Sequence, residues 1–275
     1  MINSAATART ALICGASGGL GQILAGTLQA HGMQVFGTMR KPPEDPSTFE
    51  FPMLAMDVGS DESVEACIAA VIEKVGRIDV VVNCVNEMVL GSVLETSMEE
   101  LSRVYDINVV GAARVYRAAF QAMQKQNSGL IVTMSSLGGI IPVPLLSAYT
   151  SSKFAIEAFS EALYHEAKPF NVNVVIMQPV AMHMDRPDTG DHLKVSSGVG
   201  ESSITHRMVR RMAKDTAASK LTPEIVSEEI YKVITSDKRK LRYPLDRAKI
   251  IGRIRRYGPQ SMIDKLVGGA VGGKS

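Results

Sequence analysis

The sequence has little cysteine, no long apolar run and no marked excess of either charge. Its three cysteines, Cys14, Cys67 and Cys84, are an odd number without metal-type spacing, so we expect the reduced thiols of a cytoplasmic protein. The first ten residues lack an apolar signal core, and no run approaches the about 18 apolar residues of a membrane span. A net charge of +2 gives no general case for a nucleic-acid partner. We therefore expect a soluble protein without an anchor.

What is present is an alternation of short apolar runs with helical segments. The runs at 11–14, 78–83, 130–132 and 172–177 are mostly apolar rather than apolar at every second residue, which is typical of strands covered on both faces. The length of 275 residues suits one large domain, and no shift in composition divides it. The pattern predicts an α/β fold with a doubly wound parallel sheet.

One stretch, residues 130–153, combines a buried strand, a loop and the start of a helix. Its glycines and prolines stop either element from continuing, and the composition becomes helical from Ser147. Tyr149 and Lys153 stand four apart, so they share one helix face. A nearby ammonium favours phenolate, which lowers a tyrosine pKa from about 10 toward neutrality. Tyr149 is therefore a candidate acid or base.

A glycine cluster follows the first strand. Gly15, Gly19 and Gly21 lead directly into a helical segment at 22–31. Glycine lets backbone amides approach a pyrophosphate closely, and the helix N-terminus adds donors and a favourable dipole. The alternative reading is a tight turn without a ligand.

Together these motifs resemble the short-chain dehydrogenase/reductase family. The family's Tyr-x-x-x-Lys matches Tyr149 and Lys153, its serine matches Ser136 thirteen residues before the tyrosine, and its glycine spacing matches Gly15, Gly19 and Gly21. The resemblance implies a single Rossmann-type domain, for which we assign residues 8–257, followed by a C-terminal tail at 258–275. It also implies a homo-oligomer, a dimer or a tetramer.

The resemblance further implies an oxidoreductase with four catalytic residues. Tyr149 would exchange the proton and Ser136 would polarise the substrate oxygen. Lys153 would hold the nicotinamide ribose and lower the tyrosine pKa, and Asn108 would place a water in the proton relay. The alternative for Asn108 is a buried amide that simply bonds backbone. The expected cofactor-binding residues are Gly15, Ser17, Gly19, Leu20, Gly21, Arg40, Asp57, Val58, Asn83, Cys84, Tyr149, Lys153 and Pro179.

The end of the second strand, 33–38, decides between the two nicotinamide cofactors. An acid there would bond the free 2′-hydroxyl of NAD, whereas a basic residue accommodates a 2′-phosphate. Met39 stands where the acid would be, and Arg40 follows it. We therefore expect NADP(H), the alternative for Arg40 being a solvated loop cation. Asp57 and Val58 match the family's adenine contact, although Asp57 can equally cap the next helix.

The sequence departs from the family pattern at several positions. Cys14 replaces threonine, Cys84, Val85 and Asn86 replace Asn-Ala-Gly, Val180 replaces glycine, and Met184 replaces a threonine that often bonds the nicotinamide amide. Backbone contacts would tolerate Cys84 and Val85, and Asn86 is the non-glycine residue best suited to a positive φ. These departures leave two alternatives: a non-catalytic NADP(H)-binding regulatory protein, and an isomerase or epimerase.

Residues 182–221 are irregular and long for a connection, so we expect a substrate lid. They carry few fixed charges apart from isolated groups such as Arg186 and Arg207. The expected substrate is a lipophilic carbonyl or alcohol, because methionines can line an adaptable apolar pocket, with ordinary core packing as the alternative for each. The methionines concerned are Met177, Met182, Met184, Met208 and Met212.

The C-terminal part is basic, with nine Lys or Arg against one Asp in 238–256. Ile250, Ile251, Ile254 and Tyr257 can share one side of a helix. A docked helix with a solvated basic face is the favoured reading, and weak contact of 238–257 with an anionic membrane surface is the alternative. Arg242-Tyr243 with the basic helix resembles the tails of family members acting on hydroxysteroids or retinoids.

Overall fold

The computed structural model describes residues 8–183 and 193–268, and the strands of this part form two sheets. Seven strands make one parallel sheet in the order β3-β2-β1-β4-β6-β7-β9, which confirms the doubly wound prediction. β5 and β8 form a separate parallel pair. The strands are β1 (Thr10–Cys14), β2 (Gln34–Met39), β3 (Met53–Ala55), β4 (Val80–Asn83), β5 (Met88–Leu90), β6 (Gly129–Met134), β7 (Val172–Gln178), β8 (Leu193–Val195) and β9 (Arg242–Pro244).

The helices begin where the sequence supplies caps. Ser97 and Glu100 form a capping box at α3, and Thr222 caps α7 with Pro223 in its first turn. Ser60, not Asp57, caps α2, so the capping alternative for Asp57 is wrong. The helices are α1 (Gly19–Ala30), α2 (Asp61–Val75), α3 (Met98–Tyr105), α4 (Ala112–Gln126), α5 (Ser147–Ala167), α6 (Thr205–Ala217), α7 (Pro223–Thr235), α8 (Ala248–Tyr257) and α9 (Gln260–Gly268).

The sheet is covered on both faces by apolar side chains. One core lies between the sheet and helices α1 and α7, where Leu24 and Ile230 are fully buried. The other lies under α2, α4 and α5, where Val71 and Val115 are fully buried. Side chains on both faces of the sheet are therefore apolar, such as Val82 in the first core and Ile131 in the second. This explains why apolar and polar residues do not alternate along the strands.

A π-helical turn interrupts the helical stretch between residues 98 and 126. α3 and α4 are joined through Asp106–Gly111, which includes Asn108. Gly111 is required there by close packing, because a Cβ at that position would lie 2.8 Å from Val58 Cγ2. Such turns occur often at functional sites.

β8 and the start of α6 are held against β5 and the chain near α3. β8 pairs with β5, and Ser196 Oγ donates to Glu100 Oε2 at 2.6 Å. Thr205 Oγ1 at the start of α6 donates to Glu95 Oε2 at 2.8 Å. The expected lid is thus tied to the chain near α3 by pairs that the sequence did not reveal.

The C-terminal helices dock through a few buried residues. Ile251 of α8 and Ile263 of α9 pack against Ile141, while Ile250 and Tyr257 are exposed. The expected shared side of Ile250, Ile251, Ile254 and Tyr257 is therefore wrong, since only Ile251 and Ile254 face the protein. Among the described residues, no helix combines the length and the apolar character needed to cross a bilayer.

Candidate active site

The candidate site lies at the carboxyl edge of the parallel sheet. β1, β4 and β6 are neighbours, and they end at Cys14, Asn83 and Met134. The turns that follow contain Gly15, Cys84 and Ser136. β2 and β3 lie on one side of β1, whereas β4 and the later strands lie on its other side. Open α/β sheets bind ligands at this switch in strand order, between β1 and β4.

The glycine turn has the geometry of an anion cradle. Gly15 has φ +78° and Gly19 φ +53°, which favour glycine. Gly18 is extended at the N-terminus of α1, and no side chain of the described residues caps this helix. Its first-turn amides therefore stay open to a phosphate. Ser17 is exposed at the turn, whereas Leu20 packs on the core.

Tyr149 and Lys153 lie side by side in the first turns of α5. The Lys153 Nζ is 5.5 Å from the Tyr149 ring centroid and donates to the Met134 carbonyl oxygen at 3.0 Å. The Ser136 hydroxyl lies near enough to the Tyr149 phenol to lower its pKa. Ser136 Oγ also accepts from the Gly138 amide at 3.2 Å, which orients it within the loop. The structure thus brings three of the four expected catalytic side chains together.

The pKa of Tyr149 is shifted in the direction opposite to the sequence-based expectation. Burial raises the pKa of Tyr149 to about 12, and the nearby Ser136 hydroxyl opposes that rise. Burial lowers the pKa of Lys153 to about 8, against the effects of Cys84 and Glu157. The expected lowering of the tyrosine pKa is thus absent in the chain alone. The phenol stays protonated near neutrality, which suits a proton donor.

The Asn108 side chain forms hydrogen bonds with the backbone of Glu87. Its Nδ2 donates to the Glu87 carbonyl at 2.7 Å and to Ser152 Oγ at 3.0 Å, and its Oδ1 accepts from the Glu87 amide at 2.8 Å. Both amide hydrogens are engaged, so the alternative of a buried amide that bonds backbone describes this side chain. Asn108 thereby holds the loop after β4, and its role toward a water stays a prediction.

The loop after β4 accommodates the motif departures through its backbone. The Cys84 amide donates to the Cys14 carbonyl at 2.9 Å, and the Val85 amide donates to Asn83 Oδ1 at 3.2 Å. Asn86 does not have a positive φ, so that expectation is wrong. Its Oδ1 is buried without a hydrogen-bond partner among the described residues. A buried orphan acceptor beside the glycine turn fits a site that a polar ligand completes.

The remaining expected cofactor residues lie along the same edge. Arg40 is exposed at the end of β2. Within residues 8–183 and 193–268 it has no hydrogen-bond or ion-pair partner. Asp57 is exposed and accepts from the Gly59 amide at 2.9 Å, while Val58 is buried. The Pro179 carbonyl accepts from the Leu137 amide at 2.8 Å, which places it beside the serine loop.

A cluster of apolar side chains, here called the apolar wall, packs against Tyr149. The buried side chains of Leu90, Leu146 and Met208 pack with it, and Met212 lies at the margin of this cluster. Of the five methionines expected to line a substrate pocket, Met208 and Met212 thus lie in the apolar cluster that contains Tyr149. The other methionines do not: Met177 is fully buried in the core, and Met182 packs on it. Met184 and Arg186 lie outside the described residues.

Sequence analysis missed a fifth polar residue, Glu157. Its carboxylate accepts from Ser135 Oγ at 2.7 Å, from Gln178 Nε2 at 2.6 Å and from Arg242 Nε at 2.9 Å. The available signal was its spacing, four residues after Lys153 and eight after Tyr149, which places all three on one helix face.

An open groove of about 710 Å³ lies on another face of α5. Ser147, Thr150 and Phe154 line it from α5, and Arg255 lines it from α8. These α5 positions are turned by about a third of a revolution from Tyr149 and Lys153 at 100° per residue. The groove is therefore separate from the catalytic face.

Comparison with known proteins identifies the family. The family model of the short chain dehydrogenase matches residues 9–190. The chain belongs to this family. Among short-chain dehydrogenases, the 3-ketodihydrosphingosine reductase of Bacteroides thetaiotaomicron is 37% identical over 168 residues, which cover 61% of this chain and 62% of that reductase. The chain thus matches less than two thirds of that relative's length.

Two solved structures extend the comparison. A short-chain dehydrogenase from Streptomyces avermitilis is 26% identical with a TM-score of 0.82, covering 96% of this chain and 98% of that one. A phenylalanine-to-tryptophan variant of actinorhodin polyketide ketoreductase with NADPH is 27% identical with a TM-score of 0.68, covering 82% and 90%. A nicotinamide cofactor therefore belongs to this fold, and the glycine turn and the orphan Asn86 oxygen fit it.

Proposed function

We propose that this protein is an NADP(H)-dependent oxidoreductase that interconverts a carbonyl and an alcohol on a lipophilic substrate. The observation that carries the proposal is the grouping of Tyr149, Ser136 and Lys153 at the sheet edge that also bears the glycine turn, with apolar side chains packed against Tyr149. A proton donor, a polarising hydroxyl and a cation thus share one cleft edge.

Tyr149, Ser136 and Lys153 have different roles in this reaction. When bound, a nicotinamide supplies or accepts the hydride. Tyr149 holds the proton that the substrate oxygen receives in reduction, and takes it back in oxidation. Ser136 donates to the same oxygen and orients it. Lys153, positively charged below its pKa of about 8, stabilises the phenolate that Tyr149 becomes after giving up its proton.

The preference for NADP(H) rests on the end of β2. Arg40 offers a planar fork of donors that suits a phosphate, and no internal bond within the described residues has to be broken for it to bind. Met39 offers no acceptor for a ribose hydroxyl. The NADPH in the ketoreductase structure is consistent with this choice.

The lipophilic substrate rests on the wall beside Tyr149. Leu90, Leu146 and Met208 give it apolar area at the point where the reacting oxygen meets the phenol. The name of the Bacteroides relative specifies a ketone, 3-ketodihydrosphingosine, as what that protein reduces. The homo-oligomer and the cytoplasmic location stay predictions, which sedimentation and cell fractionation test.

The test combines one substitution with a substrate panel. Tyr149→Phe should keep cofactor binding but lower the rate by roughly 10²- to 10⁴-fold, the loss typical of a missing general acid. Tyr164→Phe, farther along the same helix, is the matched control and should react as the wild type does. The panel pairs long-chain ketones and aldehydes, steroids and retinoids with short charged keto acids.

Each outcome separates the proposal from its rivals. Turnover of Tyr149→Phe within a few-fold of the wild type contradicts the proton role. A higher kcat/KM for a charged keto acid than for every lipophilic carbonyl contradicts the substrate class. Cofactor binding without turnover favours a regulatory protein, and product without net cofactor change favours an isomerase or epimerase.

A further inference from the structure

Glu157 is a carboxylate buried inside the protein, beneath the catalytic face of α5. It is only 6% exposed, which is rare for a glutamate and requires compensating partners. It lies one helical turn beyond Lys153, on the same side of the helix. The proposed proton transfer does not use it, so its presence there needs another explanation.

The partners of Glu157 come from three different elements. Ser135 follows β6, Gln178 ends β7, and Arg242 begins β9. Arg242 also donates from Nη2 to Glu161 Oε2 at 2.7 Å, so one guanidinium spans two acids of α5. Three donors, one of them cationic, thus satisfy the oxygens of the buried Glu157 carboxylate.

The charge of Glu157 acts on Lys153. Burial lowers the pKa of Lys153, whereas Cys84 and Glu157 raise it. Burial raises the pKa of the Cys84 thiol to about 12 and that of Tyr149 to about 12, so both are neutral near neutral pH. Arg242 and Glu161 lie beyond Glu157. Glu157 is therefore the negative charge that favours the ammonium form of Lys153.

The same carboxylate organises the loop that carries Ser136. Ser135, its direct neighbour, donates to Glu157 Oε1. Gly139 closes the loop over this bond: a Cβ there would lie 2.4 Å from Ser135 Oγ and 2.8 Å from Glu157 Oε1. The backbone of the turn is thus packed onto the Glu157 carboxylate.

We propose that Glu157, held by Arg242 of the C-terminal edge strand, is a positioning residue that keeps Lys153 in its ammonium form and orients the loop bearing Ser136. Its effect on rate rests on the oxidoreductase function proposed above. Its effect on Lys153 is a property of the chain without any ligand, so the two can fail separately.

The decisive measurement is the titration of Lys153 in the cofactor-free protein. NMR of lysine labelled with ¹³C at Cε follows it, with Lys153→Arg assigning the signal. Glu157→Gln should lower the titration midpoint by about one pH unit, because an opposite charge has been removed. Glu157→Asp, which keeps the charge, should stay closer to the wild type. Glu161→Gln is the matched control, since it removes the exposed partner of the same Arg242.

The outcomes are distinct. An unchanged midpoint in folded Glu157→Gln, or an equal fall in Glu161→Gln, overturns the proposal. If Glu157→Gln does not fold, the double variant Glu157→Gln/Arg242→Gln tests the same charge without leaving the Arg242 guanidinium unpaired: the Lys153 midpoint should still fall, and an unchanged midpoint overturns the assignment.

Kinetics provide the second readout. Glu157→Gln should move the alkaline limb of the pH–kcat profile toward lower pH, together with the Lys153 midpoint. An inactive wild type contradicts the proposed function but leaves the titration result standing. A lower rate with an unmoved limb indicates a purely structural role and overturns the proposal.

Discussion

Gly21 of α1 packs directly against the backbone of Gly15, so that a Cβ at Gly21 would lie 2.1 Å from the Gly15 carbonyl oxygen. The contact joins the first turn of the helix to the end of β1. Because the obstructing atom is backbone, a side chain cannot be accommodated by a rotamer change. The cradle for a pyrophosphate therefore depends on the absence of one methyl group.

The first prediction compares two glycines of the same helix. Gly21→Ala should abolish cofactor binding and lower stability, because the turn and helix must separate. Gly26→Ala is the matched control: nothing lies within 4 Å of its Cβ position, so it should stabilise the helix by about 0.5–1 kcal/mol. Cofactor titration and urea unfolding measure both. Tight cofactor binding by Gly21→Ala would show that this contact is not needed.

The central strands could be predicted from the sequence because burial on both faces leaves a mostly apolar run without regular alternation. Val80–Asn83 and Val172–Gln178 are such strands. The three-residue strands Met88–Leu90, Leu193–Val195 and Arg242–Pro244 could not, because partners distant in the chain define them and their own composition does not. The π-helical turn at Asp106–Gly111 also has no local sequence signal that we recognised.

The candidate site divides in the same way. Tyr149, Lys153 and Ser136 form a spaced motif, so sequence placed them together. Glu157 does not belong to that motif, and its burial depends on Arg242, which is 85 residues away in the chain. The direction of the Tyr149 pKa could not be read from its spacing either, because burial of the phenol, which the spacing does not reveal, raises that pKa.

The second prediction concerns alkaline pH. Burial raises the pKa of the Cys67 thiol from 9.0 to about 12, so between these values the unfolded chain loses a proton that the fold retains. Stability contributed by this group therefore falls as pH rises above about 9. From about pH 7.5 to about pH 10.5 the loss is about 2 kcal/mol.

Urea unfolding of Cys67→Ala at both pH values checks this. The variant should lose less stability than the wild type over the interval, by about that amount. Lys153, whose lowered pKa contributes the opposite slope between about 8 and 10.5, is unchanged in the comparison. Val64→Ala, a buried apolar change in the same helix, should keep the wild-type slope. Identical slopes for Cys67→Ala and the wild type would contradict the prediction.

The third prediction concerns the outer face of α8. Ile250 is 62% exposed and Tyr257 75% exposed, seven residues apart on one stripe, with exposed Lys249, Arg253 and Arg256 beside them. This face should bind phosphatidylserine vesicles weakly at low salt, where each Lys or Arg contributes about 1 kcal/mol of binding free energy. The binding should weaken at higher salt, because the charges are screened. The docked helix with a solvated face remains the resting arrangement.

Vesicle sedimentation with matched variants tests this surface. Ile250→Ser should weaken the binding, whereas Leu94→Ser, an exposed apolar change elsewhere, should not. Equal sedimentation of both variants, or binding to neutral vesicles as strong as to anionic ones, would remove α8 from this role.

The fourth prediction is that Arg40 sets the cofactor preference. Hydrogen bonds to charged groups contribute about 1.5–3 kcal/mol, so Arg40 can give roughly 10- to 150-fold discrimination in favour of NADPH. Arg40→Ala should lower the ratio of kcat/KM with NADPH to that with NADH by this factor. Lys41→Ala, also exposed but lacking the planar fork, should lower it less, because it acts only through the local potential.

Salt distinguishes the charge of Arg40 from a change in shape. Arg40 is exposed at the end of β2, so higher ionic strength should reduce the preference in the wild type and change it little in Arg40→Ala. The measurement is kcat/KM with both cofactors at low and high salt. Equal values of kcat/KM for NADPH and NADH in the wild type, or an unchanged ratio in Arg40→Ala, would show that Arg40 does not bind the 2′-phosphate.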